Sequence, residues 1–297
     1  MNWDDMRLFL AVARAESLTG AGRALRLDPA TLGRRIARLE DGLGTALFVR
    51  SPRGYGLTEA GERLMARAVQ AEQALTEGAE ELRGQEGQLT GSVRIGAPDG
   101  VANYLLPQVA AAICDANPGL EVQIVALPRV FNLSRREADM AIAVSPPETG
   151  RLTVQRITDY RLHLVAHRDY LERHPPIRGL DDLRTHRIVG YIPDMIFDSE
   201  LDYLSEIGVD RVTLASNSVA VQLNWLRAGA GLGIVHDFAM PAAPGLVKVL
   251  PGAVSLRRSF FLIRHGDDRK LARLTRFAGL LSDGIRAEVA RLEAQFA

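Results

Sequence analysis

The stretch Asp28-Pro29-Ala30-Thr31-Leu32-Gly33-Arg34-Arg35-Ile36-Ala37-Arg38-Leu39-Glu40-Asp41-Gly42-Leu43-Gly44 decides the reading of this 297-residue chain. Asp28 suits an N-cap, and Pro29 suits the first helical position, where its missing N–H costs nothing. Gly44 suits the C-terminal end, where a left-handed residue closes the last turn. Between these signals Leu32, Ile36, Leu39 and Leu43 recur at helical spacing and predict one buried face. The other face carries Thr31, Arg34, Arg35 and Arg38. An apolar stripe opposite an Arg stripe suits the DNA major groove, with the helix N-terminus towards base edges. A lone Arg face is more readily a solvated surface, so the neighbouring segments must decide.

Upstream, Met6, Phe9, Leu10 and Ala13 form one face of a first helix, and Ser17 is placed to cap a short second helix with Leu18, Ala21 and Leu25 inward. Downstream, Leu47-Phe48-Val49-Arg50 and Leu57-Thr58 flank the turn Ser51-Pro52-Arg53-Gly54-Tyr55-Gly56, a hairpin in the form of a wing. The wing would lay Arg53 against the minor groove or backbone. Seven Arg stand between Arg23 and Arg53 against Asp28, Glu40 and Asp41, a local excess of four positive charges in a chain of zero net charge. Local positive charge matters because each neutralised phosphate releases counterions.

Ser17-Leu18-Thr19-Gly20-Ala21-Gly22-Arg23-Ala24-Leu25, Leu32 to Glu40, Leu43-Gly44, Leu47 to Arg50 and Leu57-Thr58-Glu59-Ala60-Gly61 together resemble the winged helix-turn-helix of LysR-type transcriptional regulators. The resemblance implies an α+β multidomain protein. It would have a DNA-binding domain at 1–61, a dimerising linker helix and hinge at 62–90, and an effector-binding domain at 91–297. Pro29, Ala30, Thr31, Gly33, Arg34, Arg35, Arg38 and Arg53 are the DNA-contact candidates. The family often leads into this helix with Ser-Gln-Pro and has a Ser before the Arg. Here Asp28-Pro29-Ala30 and Gly33 stand instead, which removes side-chain hydrogen bonds at 29 and 33 and points to a different operator.

From Thr58 a helix is predicted to about Arg83 or Gly84, with Leu64, Ala68, Ala71, Leu75, Gly78 and Leu82 as a heptad seam. A helix packed on its own domain is the alternative; the resemblance implies a dimer, often a tetramer. Gly84 to Gly91 is polar and Gly-rich and reads as a hinge. Beyond it strands and helices alternate, with strands of the parallel type: Ser92–Gly96, Glu121–Val125, Met140–Val144, Arg161–Val165, Ile188-Val189, Val212–Leu214, Ile234-Val235 and Phe260–Ile263. Helices are expected at Val101–Ala116, Val219–Ala228 and from about Arg269 to Phe296.

Ligands in such sheets bind outside the carboxyl ends of strands, and helix N-termini near 100–102 and 217–219 offer N–H groups to an anion. The effector-contact candidates are Pro98, Asp99, Gly100, Val101, Pro128, Arg129, Ser145, Pro193, Asp194, Asn217, Ser218 and His236. The layout resembles the family's effector domain, two α/β lobes like a periplasmic binding protein with a small molecule between them. It implies lobe I at about 91–162 and 267–297 and lobe II at about 163–266, with crossings near Leu162-His163-Leu164 and His265-Gly266-Asp267. Asp99 lies where the family often has a small hydroxyl residue, which argues against a simple carboxylate ligand, although Arg129 offers an offsetting charge.

Other chemistries find less support. Gly229-Ala230-Gly231-Leu232-Gly233 follows a helix and precedes a strand, the reverse of a dinucleotide loop. The six His lack carboxylate or Cys support for a metal, and no nucleophile–base signature stands out, so no cofactor, metal or enzymatic activity is expected. Cys114 is alone in an apolar run and reads as a core residue. The acidic start Met1-Asn2-Trp3-Asp4-Asp5 lacks the basic region of a secretory signal, and the apolar run near Val101–Ile113 is too short to span a bilayer. The expectation is a cytoplasmic regulator with operator DNA, a small effector, a second copy of itself and RNA polymerase as partners. Its rival is a non-DNA-binding solute-binding protein or enzyme on the same layout.

Overall fold

The computed structural model describes residues 2–51, 54–82, 88–126, 138–147, 152–209, 211–266 and 272–296. The chain divides into two compact units, Met1–Gly87 and Gln88–Ala297.

In the first unit, α1 (Trp3–Ala15), α2 (Leu18–Leu25) and α3 (Pro29–Leu43) start on side-chain caps from Asn2, Ser17 and Asp28. Gly44 ends α3 in the left-handed region, φ 66°. The predicted apolar residues Met6, Phe9, Leu10, Ala13, Ala21, Leu32, Ile36 and Leu39 meet in one core, which Leu8, Val12, Leu47 and Phe48 complete, whereas Leu43, at the end of α3 beyond that core, is 38% exposed. Gly22 allows the tight link into α3, since a Cβ there would stand 2.7 Å from the Leu27 carbonyl oxygen. The wing strands β1 (Phe48–Ser51) and β2 (Gly54–Leu57) pair antiparallel, Phe48 opposite Leu57. The side chain of Glu40 on α3 accepts the backbone N–H groups of Leu47 and Phe48 at 2.7 and 3.1 Å, and Tyr55 N–H donates to the Glu16 carbonyl at 2.9 Å. The hairpin is thereby fixed to both α3 and the α1–α2 turn.

The long α4 (Glu59–Leu82) begins where expected, with the Thr58 hydroxyl accepting from Gly61 N–H at 3.0 Å. Its seam divides. Leu64 and Ala68 pack into the core of the first unit, whereas Leu75 is 56% exposed. Its first turns therefore pack within its own domain, and Leu75 does not. The hinge read at 84–91 lies outside the described residues as far as 87.

In the second unit one sheet runs through both lobes. Its strands are β3 (Gly91–Ala97), β4 (Leu120–Ala126), β5 (Met140–Ala143), β6 (Leu152–His167), β7 (Ile188–Gly190), β8 (Leu214–Ala215), β9 (Leu232–His236), β10 (Leu246–Lys248) and β11 (Ser255–His265). They are ordered β4-β3-β5-β11-β6-β9-β7-β8, with β10 also on β6. The outer groups β4-β3-β5 and β9-β7-β8 are parallel, as expected. The central β6 and β11 are antiparallel to each other and to their neighbours. At 16 residues, β6 extends for about 50 Å. Its first part pairs with β11 and its last residues, from Leu162, pair with β9. Leu162 is thus where β6 takes β9 as a further partner. β11 pairs with β6 from Ser255 and with β5 from Phe261.

The helix expected over Val101–Ala116 is two helices, α5 (Asp99–Tyr104) and α6 (Leu106–Ala116). Pro107 in the first turn of α6 cannot continue α5, and Leu105 leaves the helical region at φ −121°. Then come α7 (Arg168–Arg173), α8 (Val219–Arg227), which Gly229 follows at φ 68°, and α9 (Ala272–Glu293). Cys114 packs on the core.

Candidate nucleic-acid interface and effector cleft

The exposed face of α3 is built from its cap outward. Asp28 Oδ2 accepts the Thr31 N–H at 2.9 Å, and Thr31 Oγ1 accepts from the Arg34 guanidinium at 3.1 Å. Cap, hydroxyl and guanidinium therefore form one chain along the first turns. Ala30, Arg34 and Arg38 are exposed, and Pro29 and Thr31 are half-buried. Gly33 faces partly inward: a Cβ there would press on Leu18 Cδ1 at 3.3 Å, so this position governs how α2 approaches α3. Arg53 lies outside the described residues.

Arg35 is turned away from that face. It reaches back to α1, with Nη1 2.5 Å from Asp4 Oδ2 and Nη2 2.7 Å from Asp5 Oδ1. Hydrogen bonds from Arg35 hold both carboxyls below the ordinary carboxylate range. Asp4 and Asp5 were legible only as the acidic first turn of α1. Nothing in their local sequence points to Arg35, some thirty residues away.

In the second unit the cleft candidates gather unevenly. Asp99 opens α5 at the carboxyl end of β3, and Ser218 caps α8. The two meet across the lobes: Asp99 Oδ2 accepts from Ser218 Oγ at 3.0 Å and from Ala220 N–H at 3.1 Å. Asp99 Oδ1 accepts from Asn103 at 3.1 Å. A Cβ at Gly100 would lie 3.3 Å from His236 Cε1 and 3.6 Å from Val219 Cγ1, so glycine permits this approach. Ser145 donates to the carboxylate of Asp198, a second bond between the lobes. Pro98 is the cap position of α5, and Asn217 is half-buried beside Ser218. Val101 is 1% exposed and belongs to the core, and Asp194 is exposed. Pro128 and Arg129 lie outside the described residues.

Beside this junction lies a cavity of about 240 Å³ in lobe II, lined among others by Tyr191, Pro193, Asp202, Tyr203, Ser205 and Gln222. Tyr191 and Tyr203 stand edge to face at 6.1 Å, Tyr203 and His236 at 6.2 Å, and Tyr160 lies 5.4 Å from His236. His236 Nδ1 is buried without a hydrogen-bond partner among the described residues, and the buried hydroxyls of Tyr160 and Tyr203 face each other. Burial raises the pKa of all three tyrosines and pushes His236 down to about 4, against a smaller opposing effect of Asp237. Arg258 lies 6.0 Å over the Tyr203 ring and pairs with Glu200 and Glu206. Of these groups the sequence pointed to Pro193 and His236. Tyr191 stood in a segment chosen for its place after a strand, and Tyr203 carried no signal. Among the described residues no group of His, Cys, Asp and Glu is arranged to hold a metal ion, and no helix is long and apolar enough to cross a membrane.

A capped helix-turn-helix with a wing, in a chain whose second unit is a two-lobed α/β domain, defines a DNA-binding protein with a ligand-binding module. Residues 3–62 match the model of the bacterial regulatory helix-turn-helix protein, lysR family, and residues 86–286 match the LysR substrate binding domain. The HTH-type transcriptional regulator PtxR of Pseudomonas aeruginosa is 29% identical over 85% of this chain and 83% of its own length. A probable hydrogen peroxide-inducible genes activator of Mycobacterium avium is 32% identical over 80% and 78%. Among solved structures, a full-length OxyR from Pseudomonas aeruginosa superposes with a TM-score of 0.70 at 20% identity, covering 96% of this chain and 95% of that one. Full-length LysG of Corynebacterium glutamicum with bound effector Arg gives 0.63 at 20%, covering 96% and 98%. The chain belongs to the LysR family of transcriptional regulators, with a helix-turn-helix DNA-binding domain and an effector-binding domain.

Proposed function

We propose that this regulator reads a two-fold operator as a homodimer or tetramer, with Arg34 as the principal base-reading residue. The observation that carries the assignment is the linked chain Asp28–Thr31–Arg34 on the exposed first turns of α3, the part of a recognition helix that meets base edges. Arg38 and the wing Arg53 serve phosphates, and Arg35 acts through α1 as a positioning residue. The exposed Leu75 on α4 supports pairing of two linker helices, which sets two recognition helices about 34 Å apart on one face of the duplex. A small molecule held beside Tyr191, Tyr203 and His236 alters the closure of the lobes and, through the oligomer, the DNA complex or its contact with RNA polymerase. In this reading the protein is cytoplasmic, takes no cofactor and catalyses no reaction.

Gel-shift and binding-site selection on DNA flanking its own gene, with salt varied, test the reading. Arg34→Ala should relax preference at one base position, whereas Arg38→Ala should weaken binding evenly and lower the salt slope by about 1. Identical base preferences for Arg34→Ala and the parent would overturn the role of Arg34, and no retained fragment at low salt would overturn DNA binding.

A further inference from the structure

The first turn of α8 already holds a carboxylate, and it is the protein's own. Asp99 Oδ2 accepts from Ser218 Oγ and from Ala220 N–H, at the positive end of a nine-residue helix. That is the hydrogen-bonding pattern a helix N-terminus offers to a free anion. Asp99 arrives from the opposite lobe, 121 residues earlier in the chain than Ala220. The surrounding geometry is built around this approach. Gly100 lets α5 come up against both Val219, the first residue of α8, and His236. His236 is 6% exposed, and its Nδ1 has no partner among the described residues. The buried polar groups nearby, His236 Nδ1 and the facing hydroxyls of Tyr203 and Tyr160, are not cations, and the adjacent cavity is lined by the acidic residue Asp202. A second carboxylate entering here would meet a like charge at the start of α8.

We propose that Asp99 is a specificity-determining residue, a resident occupant of a carboxylate seat formed by Ser218 and Ala220, which makes this effector cleft refuse carboxylate ligands. The lobes are joined through that seat without an anionic effector. The effector is a molecule without a carboxylate that hydrogen-bonds the neutral Tyr203 and His236. The inference rests on the proposed role of the cleft as the effector site.

Vacating the seat tests it. Asp99→Ala and Asp99→Ser, each in the full chain, are melted in sodium acetate and in sodium chloride at equal ionic strength, with the response of the parent subtracted. Acetate should raise the melting temperature of both variants by about 3–6 °C beyond the parent, as expected for a weak site near tenfold saturation. Adding Ser218→Ala to Asp99→Ser should remove most of that gain. The serine variant provides the readout if the alanine variant does not fold. Acetate responses in both variants equal to the parent's would overturn the proposal, as would a gain that survives Ser218→Ala undiminished. Operator binding by the same variants, with and without acetate, separates the two levels. An acetate-dependent melting gain with unchanged operator affinity leaves the seat standing and overturns only the coupling of this cleft to DNA.

Discussion

Asp28 both caps α3 and carries a negative charge near the DNA-facing turn, and the two contributions can be separated. Its Oδ2 accepts the Thr31 N–H at 2.9 Å. Pro29 has no N–H to satisfy, so this bond is the side-chain support of the helix start. Asp28→Ala leaves that N–H to water and should cost about 1 kcal/mol of stability in the first unit. Fraying also loosens Thr31, whose hydroxyl accepts from Arg34 at 3.1 Å; if that ordering is regained on DNA, operator affinity should fall about fivefold. Asp28→Ser keeps an acceptor at the same place and loses only the favourable charge at the helix end, a few tenths of a kcal/mol in ordinary salt. It also removes a charge that repels phosphate, so it should bind the operator at least as tightly as the parent. Unfolding in urea can be followed in a Trp225→Phe background. Trp3, in α1, then reports the first unit, because the chain has two tryptophans. The cap argument is refuted if Asp28→Ser is as unstable as Asp28→Ala. It is equally refuted if Asp28→Ala retains full stability.

Two further outcomes follow from the same structure. His236 is neutral in the folded protein, with its pKa pushed by burial from 6.5 to about 4, so unfolding takes up a proton in the window between those values. Stability should then fall with pH at about 1.4 kcal/mol per unit from this group, about 3 kcal/mol in all, while above 6.5 it has no effect. His236→Gln should flatten that part of the profile, read from Trp225 fluorescence in urea at successive pH values; parallel profiles for variant and parent would refute it. Arg35→Met should lower the melting temperature of the first unit at neutral pH without changing base preference. Because Arg35 holds Asp4 and Asp5 below the ordinary carboxylate range, its stabilisation is complete above that range and is lost as pH falls through the lowered values. The deficit of the variant should therefore close in acid, and an altered base preference would return Arg35 to the DNA face.

The DNA-binding unit was legible because its instructions are local. The Asp28-Pro29 start, the Gly44 stop and the Leu32, Ile36, Leu39 spacing act within one helix, and each is realised in α3. What escaped was tertiary. A stripe of Thr31, Arg34, Arg35 and Arg38 is uniform by spacing alone, but the angle at which α1 crosses α3 brings Asp4 and Asp5 to Arg35 and leaves Arg34 and Arg38 exposed. Glu40 counted in the sequence only as a charge against the Arg cluster. In the fold its carboxylate accepts two N–H groups at the root of the wing.

In the effector unit local rules located the segments better than the side chains. Strands buried on both faces announce themselves as apolar runs, as β5 and β9 do, and β3 is visible through Val93 and Ile95 on either side of the exposed Arg94. The first half of β6, Leu152 to Tyr160, exposes Val154, Gln155 and Arg156 in succession and carries neither an apolar run nor a period of two. Without it the pairing of β11 from Ser255 cannot be foreseen. The same limit applies inside the cleft. Position after a strand selected the segment Tyr191 to Asp194, yet Tyr191 and Pro193 line the cavity while Asp194 is exposed. Asp99 shows the limit most sharply. From the sequence it is an acid that disfavours a carboxylate ligand, with Arg129 as an offsetting charge. Its partners are Ser218 and Ala220 on the other lobe, a pairing set by the sheet order and by Gly100. The physical question thereby changes from which cation balances Asp99 to what a ligand must lack in order to enter beside it.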